Sequence, residues 1–300
     1  MTDIERVGVV GCGLMGAGIA EVCARAGLPV TVVERDAEAA RAGRLRIDRS
    51  LDRAAARGRL TAEGRAAAAG LITVTDQLEA LHDRDLVVEA VAEDERLKTD
   101  VFTRLDSVLT DGHTLLATNT SSIPVIRLAA ATGRPEHVVG VHFFNPVPVL
   151  TLVELVPSLL TSADTLTRAE TFVTGRLGKE VVRTRDRAGF VVNALLVPYL
   201  LAAIRMVEAG SASAEDIDRG MVLGCAHPLG PLALTDLIGL DTTRAIAESL
   251  YAEFREPLYA PPPLLSRMVE AGLLGRKSGR GFHTYPARPR NETAVPAERS

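Results

Sequence analysis

Near the amino terminus the run "RVGVVG" leads into "CGLMGAGIAEVCARAG", which puts Gly11, Gly13 and Gly16 in a Gly-x-Gly-x-x-Gly spacing between a strand-forming and a helix-forming segment. No other stretch narrows the fold as far. The first glycine permits a tight turn, the second lets backbone approach a bulky anion, and the third allows the helix to lie close to the strand. The helix that follows aims its first N–H groups at phosphate charge. A second strand, "PVTVVE", ends in Glu34, 23 residues after Gly11, where a carboxylate can accept from both hydroxyls of an adenosine ribose. Glycines in a turn are weak evidence alone. Strand, turn, helix, second strand and acid together point to a dinucleotide site that includes Leu14 and Met15 of the turn-to-helix segment. Glu34 repels a ribose 2′-phosphate and favours NAD, whereas Arg35 beside it would attract one and leaves NADP open.

The same alternation continues through the first half of the chain. Strand runs are expected at 6–11, 29–34, 71–75, 85–91, 114–120 and 137–144, with helices between most of them. The runs are apolar throughout rather than alternating, which is the pattern of strands covered on both faces. The fold class is therefore α/β, a Rossmann-type doubly wound parallel sheet, over residues 1–186. Residues 37–70, rich in Ala and Arg, are too long for a simple crossover. They are expected to form two helices broken near Gly58, the second capped by Thr61, projecting from the sheet as a hairpin. From 187 to 286 the pattern is helical, at 189–209, 214–223, 231–238, 241–255 and 263–272, an all-α second domain. The polar tail 287–300 is expected to be disordered.

Bulk properties exclude some functions. A net charge of −4 without a dense basic block argues against nucleic acid as a partner. Cys12, Cys23 and Cys225 show no metal or CxxC spacing and are expected to be reduced and buried, in a cytoplasmic protein. The first residues carry acids where a secretion signal needs bases. The longest apolar segment, 190–204, is shorter than a membrane span and reads as a buried helix, so no membrane partner is expected.

The chemistry is concentrated in "VGVHFFNPVPVLTLVELV", residues 139–156. A nicotinamide enzyme oxidising an alcohol needs a base for the hydroxyl proton, and histidine titrates in the right range. A carboxylate on the other ring nitrogen fixes its tautomer and stabilises the imidazolium. His142 and Glu154 fit these roles if Pro146 and Pro148 turn the chain back, so that two adjacent strands bring the side chains together. A lone histidine in an apolar run is more often a satisfied core residue, but a lone buried glutamate needs a partner, and pairing resolves both. After the strand at 114–120, Ser121 or Ser122 stands at a carboxyl end of the sheet, either to donate to a substrate oxygen or to cap the helix beginning near Pro124.

Taken together, "GVVGCGLMGAGIAEV", "LVVEAVAEDERLKTDVF", "NTSSIP", "HFFNPVPVLTLVELV", "GFVVNALLVPYLLAAIRMVEAG", "HPLGPLALTDLIGLDTT" and "GRKSGRGFHTY" resemble the L-3-hydroxyacyl-CoA dehydrogenase family over nearly the whole chain up to about 286. The resemblance implies NAD-dependent, reversible oxidation of an (S)-3-hydroxyacyl-CoA, short chains first. It casts His142 as general base, Glu154 as the residue that orients it, and Ser121 and Asn193 as holders of the reacting oxygen and substrate. It assigns Glu93, Lys98, Asn145 and Lys277 to the dinucleotide, and Ser50 and Arg57 on the hairpin to coenzyme A. It also implies a homodimer formed through the helical domain. Two positions depart from the family pattern. Ala188 stands where a proline is common before Gly-Phe, and Ala194 where an arginine often follows the asparagine. Two other readings stay in view: a dehydrogenase of a free hydroxy acid or sugar acid on the same scaffold, and a non-catalytic NAD-binding protein.

Overall fold

The computed structural model describes residues 4–286, so the expected disorder of the 287–300 tail lies outside the described residues. The chain divides into two compact units, Met1–Val191 and Val192–Ser300.

The first unit opens with β1 (Val7–Val10), α1 (Leu14–Arg25) and β2 (Val30–Val33), then α2 (Ala37–Ala56), α3 (Ala62–Gly70) and β3 (Ile72–Thr75). It continues with β4 (Leu86–Glu89), α4 (Glu95–Val108), β5 (Leu115–Thr118), α5 (Val125–Ala129), β6 (Val138–Phe143), β7 (Leu152–Pro157), α6 (Ala163–Thr171) and β8 (Glu180–Arg183). The strands form one sheet in the order β3-β2-β1-β4-β5-β6-β7-β8. Neighbours are parallel except β6 and β7. The order reverses between β1 and β4, and that switch point opens a crevice beyond the carboxyl ends of the strands.

Successive side chains bury on opposite faces, which explains the unbroken apolar runs. Leu86 and Val88 join one core cluster and Val87 the other; Leu115 and Ala117 are likewise separated from Leu116. The extra helices are present as α2 and α3. Asp36 caps α2 by accepting from the Ala39 amide at 2.7 Å, and Thr61 caps α3 by accepting from the Gly64 amide at 3.0 Å. The pair is more closely held than a projecting hairpin: α2 lies along α1 and β3, with Ile47 and Leu51 wholly buried. Strand β8 went unread in the sequence. It is an edge strand, and its mostly exposed "EVVR" lacks the apolar run that marks the others.

The second unit holds α7 (Val192–Glu208), α8 (Ala214–Cys225), α9 (Pro231–Ile238), α10 (Leu240–Phe254) and α11 (Pro263–Glu270). Two buried aspartates tie it together. Asp218 accepts from the Leu232 and Ala233 amides at the start of α9 and from His283 Nε2 at 2.8 Å. Asp236 accepts from the Phe282 and His283 amides and from the Tyr285 hydroxyl. The apolar stretch from 190 forms α7, buried along Val197, Leu200, Leu201 and Ile204. No helix among the described residues is long and apolar enough to cross a membrane. All three cysteines are free, but the expectation of uniform burial needs correction. Cys12 and Cys23 are buried, whereas Cys225 ends α8 and is exposed, because that end of the helix turns no apolar face inward.

Candidate active site

The glycine turn follows β1, and each glycine answers a different steric demand. Gly11 adopts φ +91°, closed to most side chains. A Cβ at Gly16 would lie 1.8 Å from the Gly11 carbonyl oxygen, so α1 can lie this close to the turn only without one. A Cβ at Gly13 would meet nothing within 4 Å. The space over Gly13, at the amino end of α1 where no side chain caps the helix, is what a pyrophosphate requires. Leu14 is exposed there, while Met15 packs against the core.

At the end of β2, Glu34 accepts from the Cys12 amide (2.7 Å) and the Arg35 amide (3.1 Å). A carboxylate has about four acceptor positions, which leaves two for ribose hydroxyls. Arg35 is exposed at the rim of the same cleft and pairs with Asp36 at 3.0 Å. A cleft of about 380 Å³ joins Gly11, Gly13, Glu34, Ala90, Val91 and Ala92. These features fit a dinucleotide. Helix α2 is seated on the same turn: the Arg46 guanidinium donates to the Cys12 carbonyl, and a Cβ at Gly43 would come within 2.6 Å of Cys12 Cβ. Ser50 is half-buried on α2 and Arg57, two turns further on, is exposed at its end.

The loop after β4 carries Glu93, and its Oε1 gathers the serine loop after β5. It accepts from the Thr120 hydroxyl (2.6 Å), the Ser121 and Ser122 amides (2.9 and 3.1 Å) and the Ser122 hydroxyl (3.0 Å). Burial alone would raise the Glu93 carboxyl, but Lys98 and these donors outweigh it and hold it below its ordinary range. The two serines divide the alternatives that the sequence left open. Ser122 is engaged by Glu93, while the Ser121 hydroxyl takes no hydrogen bond among the described residues. Neither caps α5; Asp186 does, accepting from the Val125 and Ile126 amides at 2.8 Å each.

His142 and Glu154 face each other in register across the antiparallel β6–β7 pair. Nδ1 lies 2.7 Å from Glu154 Oε2, and Glu154 Oε1 accepts from the Val191 amide at 3.0 Å. With the carboxylate accepting, the neutral ring carries its proton on Nδ1 and presents an Nε2 lone pair. That nitrogen has no hydrogen-bond partner among the described residues. The rings of Phe144 and Phe190 meet the imidazole edge-on at centroid distances of 4.6 and 5.5 Å. Asn119 Oδ1 accepts from the Phe143 amide at 2.9 Å and fastens the serine loop's strand to the histidine's strand. Glu154 and Lys98 are buried, and Asn145 is exposed just beyond β6.

Asn193 and Lys277 belong to the second unit. Asn193 lies in the first turn of α7, half-buried, and Lys277 pairs with both oxygens of Asp241 at 2.6 and 2.5 Å. Three residues that shape the site were not singled out from the sequence. Glu89 is wholly buried under Lys98, Asn119 holds two strands together, and Phe190 adopts φ +48° against His142. A bulky residue after Gly189, itself at φ +74°, closes the turn where Ala188 replaces the usual proline. A left-handed phenylalanine costs about 1–3 kcal/mol and persists only where its surroundings demand it.

Comparison with known proteins identifies relatives of nearly the whole chain. Residues 6–187 match the family description "3-hydroxyacyl-CoA dehydrogenase, NAD binding domain" and residues 189–285 match "3-hydroxyacyl-CoA dehydrogenase, C-terminal domain". A 3-hydroxybutyryl-CoA dehydrogenase of Mycobacterium tuberculosis (strain H37Rv) is 60% identical over 286 residues, covering 95% of this chain and 100% of that protein. The mitochondrial hydroxyacyl-coenzyme A dehydrogenase of Rattus norvegicus is 42% identical, covering 94% and 91%. The solved (S)-3-hydroxybutyryl-CoA dehydrogenase from Ralstonia eutropha is 43% identical, with a TM-score of 0.88 over 95% of this chain and 100% of that one.

Proposed function

The chain belongs to the 3-hydroxyacyl-CoA dehydrogenase family, and from that premise we propose that it interconverts (S)-3-hydroxyacyl-CoA and 3-oxoacyl-CoA with NAD, 3-hydroxybutyryl-CoA being the preferred substrate. The observation that carries the reading is the 2.7 Å contact between His142 Nδ1 and Glu154 Oε2, which directs an unpartnered Nε2 outward. When bound, the nicotinamide supplies the hydride acceptor for C3. The protein handles the proton. His142 Nε2 takes it from the C3 hydroxyl, and Glu154 stabilises the imidazolium that forms; in the reverse direction the imidazolium returns it. The Ser121 hydroxyl donates to the reacting oxygen.

Gly11, Gly13, Leu14, Met15 and Gly16 hold the pyrophosphate end of the dinucleotide in this proposal, and Glu34 the adenosine ribose. Glu93 and Asn145 flank the nicotinamide end. Lys98 acts from beneath: its ammonium is enclosed by Glu89, Glu93 and the Val91 carbonyl. Ser50 and Arg57 take coenzyme A. Asn193 and Lys277, on the second unit, take the substrate and dinucleotide roles of their family counterparts, and that unit forms a homodimer. The Glu34 carboxylate, which would repel a 2′-phosphate, supports NAD over NADP, and a cytoplasmic location is part of the same proposal.

The test is NADH oxidation with acetoacetyl-CoA, run beside NADPH and free acetoacetate. Fast oxidation of NADH with the thioester alone is the expected result. Equal activity with free acetoacetate would favour a free-acid dehydrogenase. Folded protein that binds NADH but reduces neither would favour the non-catalytic reading.

A further inference from the structure

Beneath the cleft, Lys98 and Glu93 join a buried carboxylate, Glu89, to which the reaction assigns no role. Glu89, the last residue of β4, is wholly buried, and Lys98 is 1% exposed. Glu89 Oε1 accepts from Lys98 Nζ and from the Val91 amide, both at 2.7 Å; Oε2 accepts from the Thr118 hydroxyl at 2.7 Å. Lys98 Nζ reaches on to Glu93 Oε2 at 3.3 Å. Two features make the arrangement costly as mere structure. Lys98 lies in the first turn of α4, where the helix dipole disfavours a cation. A buried ion pair is often no more stable than a well-packed apolar pair of the same volume.

What the cluster does geometrically is connect the two halves of the catalytic crevice. Through Val91, Glu89 sets the Ala90–Val91 backbone, which lines the cleft and against which a Cβ at Gly11 would collide at 2.8 Å. Through Lys98 it fixes Glu93, whose single oxygen Oε1 holds the backbone of Ser121 and Ser122. Through Thr118 it holds the strand from which that loop departs, and Thr118 Oγ1 in turn accepts from the Thr120 amide at 3.2 Å. We propose that Glu89 is a positioning residue that sets, from one buried carboxylate, both the wall of the dinucleotide cleft and the placement of the Ser121 hydroxyl. The inference rests on the dehydrogenase reading for its catalytic half only.

The test compares Glu89→Gln with wild type in full-length protein, by NADH fluorescence titration and by kcat and KM with acetoacetyl-CoA, each with and without Ser121→Ala. A misplaced reacting group loses roughly 10²-fold in rate. We expect kcat to fall on that scale in Glu89→Gln and the NADH Kd to rise about tenfold, one decade per 1.4 kcal/mol. Ser121→Ala should then cost at least about tenfold less in the Glu89→Gln background than in wild type, because the hydroxyl is already out of place. A general loss of stability would leave the two effects multiplicative. Wild-type kcat and Kd in Glu89→Gln, or an undiminished Ser121→Ala effect, would overturn the proposal. Should Glu89→Gln fail to fold, Glu89→Met/Lys98→Met removes both charges and keeps the core filled; that folded variant with wild-type kcat and NADH affinity would overturn it equally. If wild type itself leaves acetoacetyl-CoA untouched, the dehydrogenase reading falls, and the NADH titration alone decides for or against the cleft half.

Discussion

His142 and Glu154 are direct cross-strand partners, 2.7 Å apart between Nδ1 and Oε2 on the one antiparallel pair of the sheet. The antiparallel turn matters. A parallel crossover would separate two such residues by a helix, whereas this return brings residues twelve apart in sequence into one hydrogen bond. Because Glu154 also holds the Val191 amide, the ring is oriented by a carboxylate that cannot itself rotate freely.

Removing the base should separate binding from chemistry. His142→Gln is expected to lower kcat for acetoacetyl-CoA reduction by roughly 10²–10⁴-fold. The NADH Kd, read by fluorescence titration, should stay within about twofold, since Nδ1 faces Glu154 and not the glycine turn. Glu154→Gln should lower kcat by about 10²-fold or more by losing the tautomer and the imidazolium's counter-charge.

The two inner glycines should fail in different ways. Gly13→Ala has open space for its methyl and should keep the wild-type melting temperature while losing NADH affinity by about tenfold or more, because the methyl occupies the pyrophosphate's approach. Gly16→Ala drives its methyl into the Gly11 carbonyl and should destabilise the fold by about 1–3 kcal/mol in denaturant titration. Equal stability losses would remove the distinction.

Cofactor choice is expected to hinge on one charge. Glu34→Ala should raise the ratio of NADPH to NADH use, measured as kcat/KM, by about tenfold or more through lost repulsion, with Arg35 at the cleft rim left as the nearest charge. An unchanged ratio would move the specificity elsewhere in the cleft.

Thiol reactivity should be unequal. Burial pushes the Cys12 and Cys23 thiols up to about 12, so neither offers a thiolate at pH 8. Ellman titration of native protein should find one fast thiol, Cys225, and all three after denaturation.

Acid should act through carboxylates whose folded pKa lies below the unfolded one. Burial would raise Glu93 and Asp241, but Lys98 and the serine-loop donors depress the first, and Lys277 depresses the second. A depressed carboxylate stabilises the fold above its unfolded pKa and loses that contribution as pH falls through the folded value. Thermal midpoints should therefore hold down to about pH 4.5 and then decline. Glu93→Gln should flatten the decline.

Much of this was legible in the sequence because it is local. Apolar runs, the Thr61 cap and the glycine spacing depend on neighbours a few residues away, and the strands and helices they mark are present. Strand β8 escaped because an exposed edge strand carries no apolar signature.

The sequence by itself determined the alternation that winds the sheet, the anion-ready turn at Gly11–Gly16, and the prolines that let His142 and Glu154 return to one another. Tertiary structure alone decided that Lys98 is sealed between Glu89 and Glu93, that the Ser122 hydroxyl rather than the Ser121 hydroxyl bonds Glu93, and that Phe190 is forced left-handed against the imidazole. The reason is physical: a helix or strand is set by the spacing of residues along the chain, but which charge a buried lysine meets depends on the register of strands far apart in sequence.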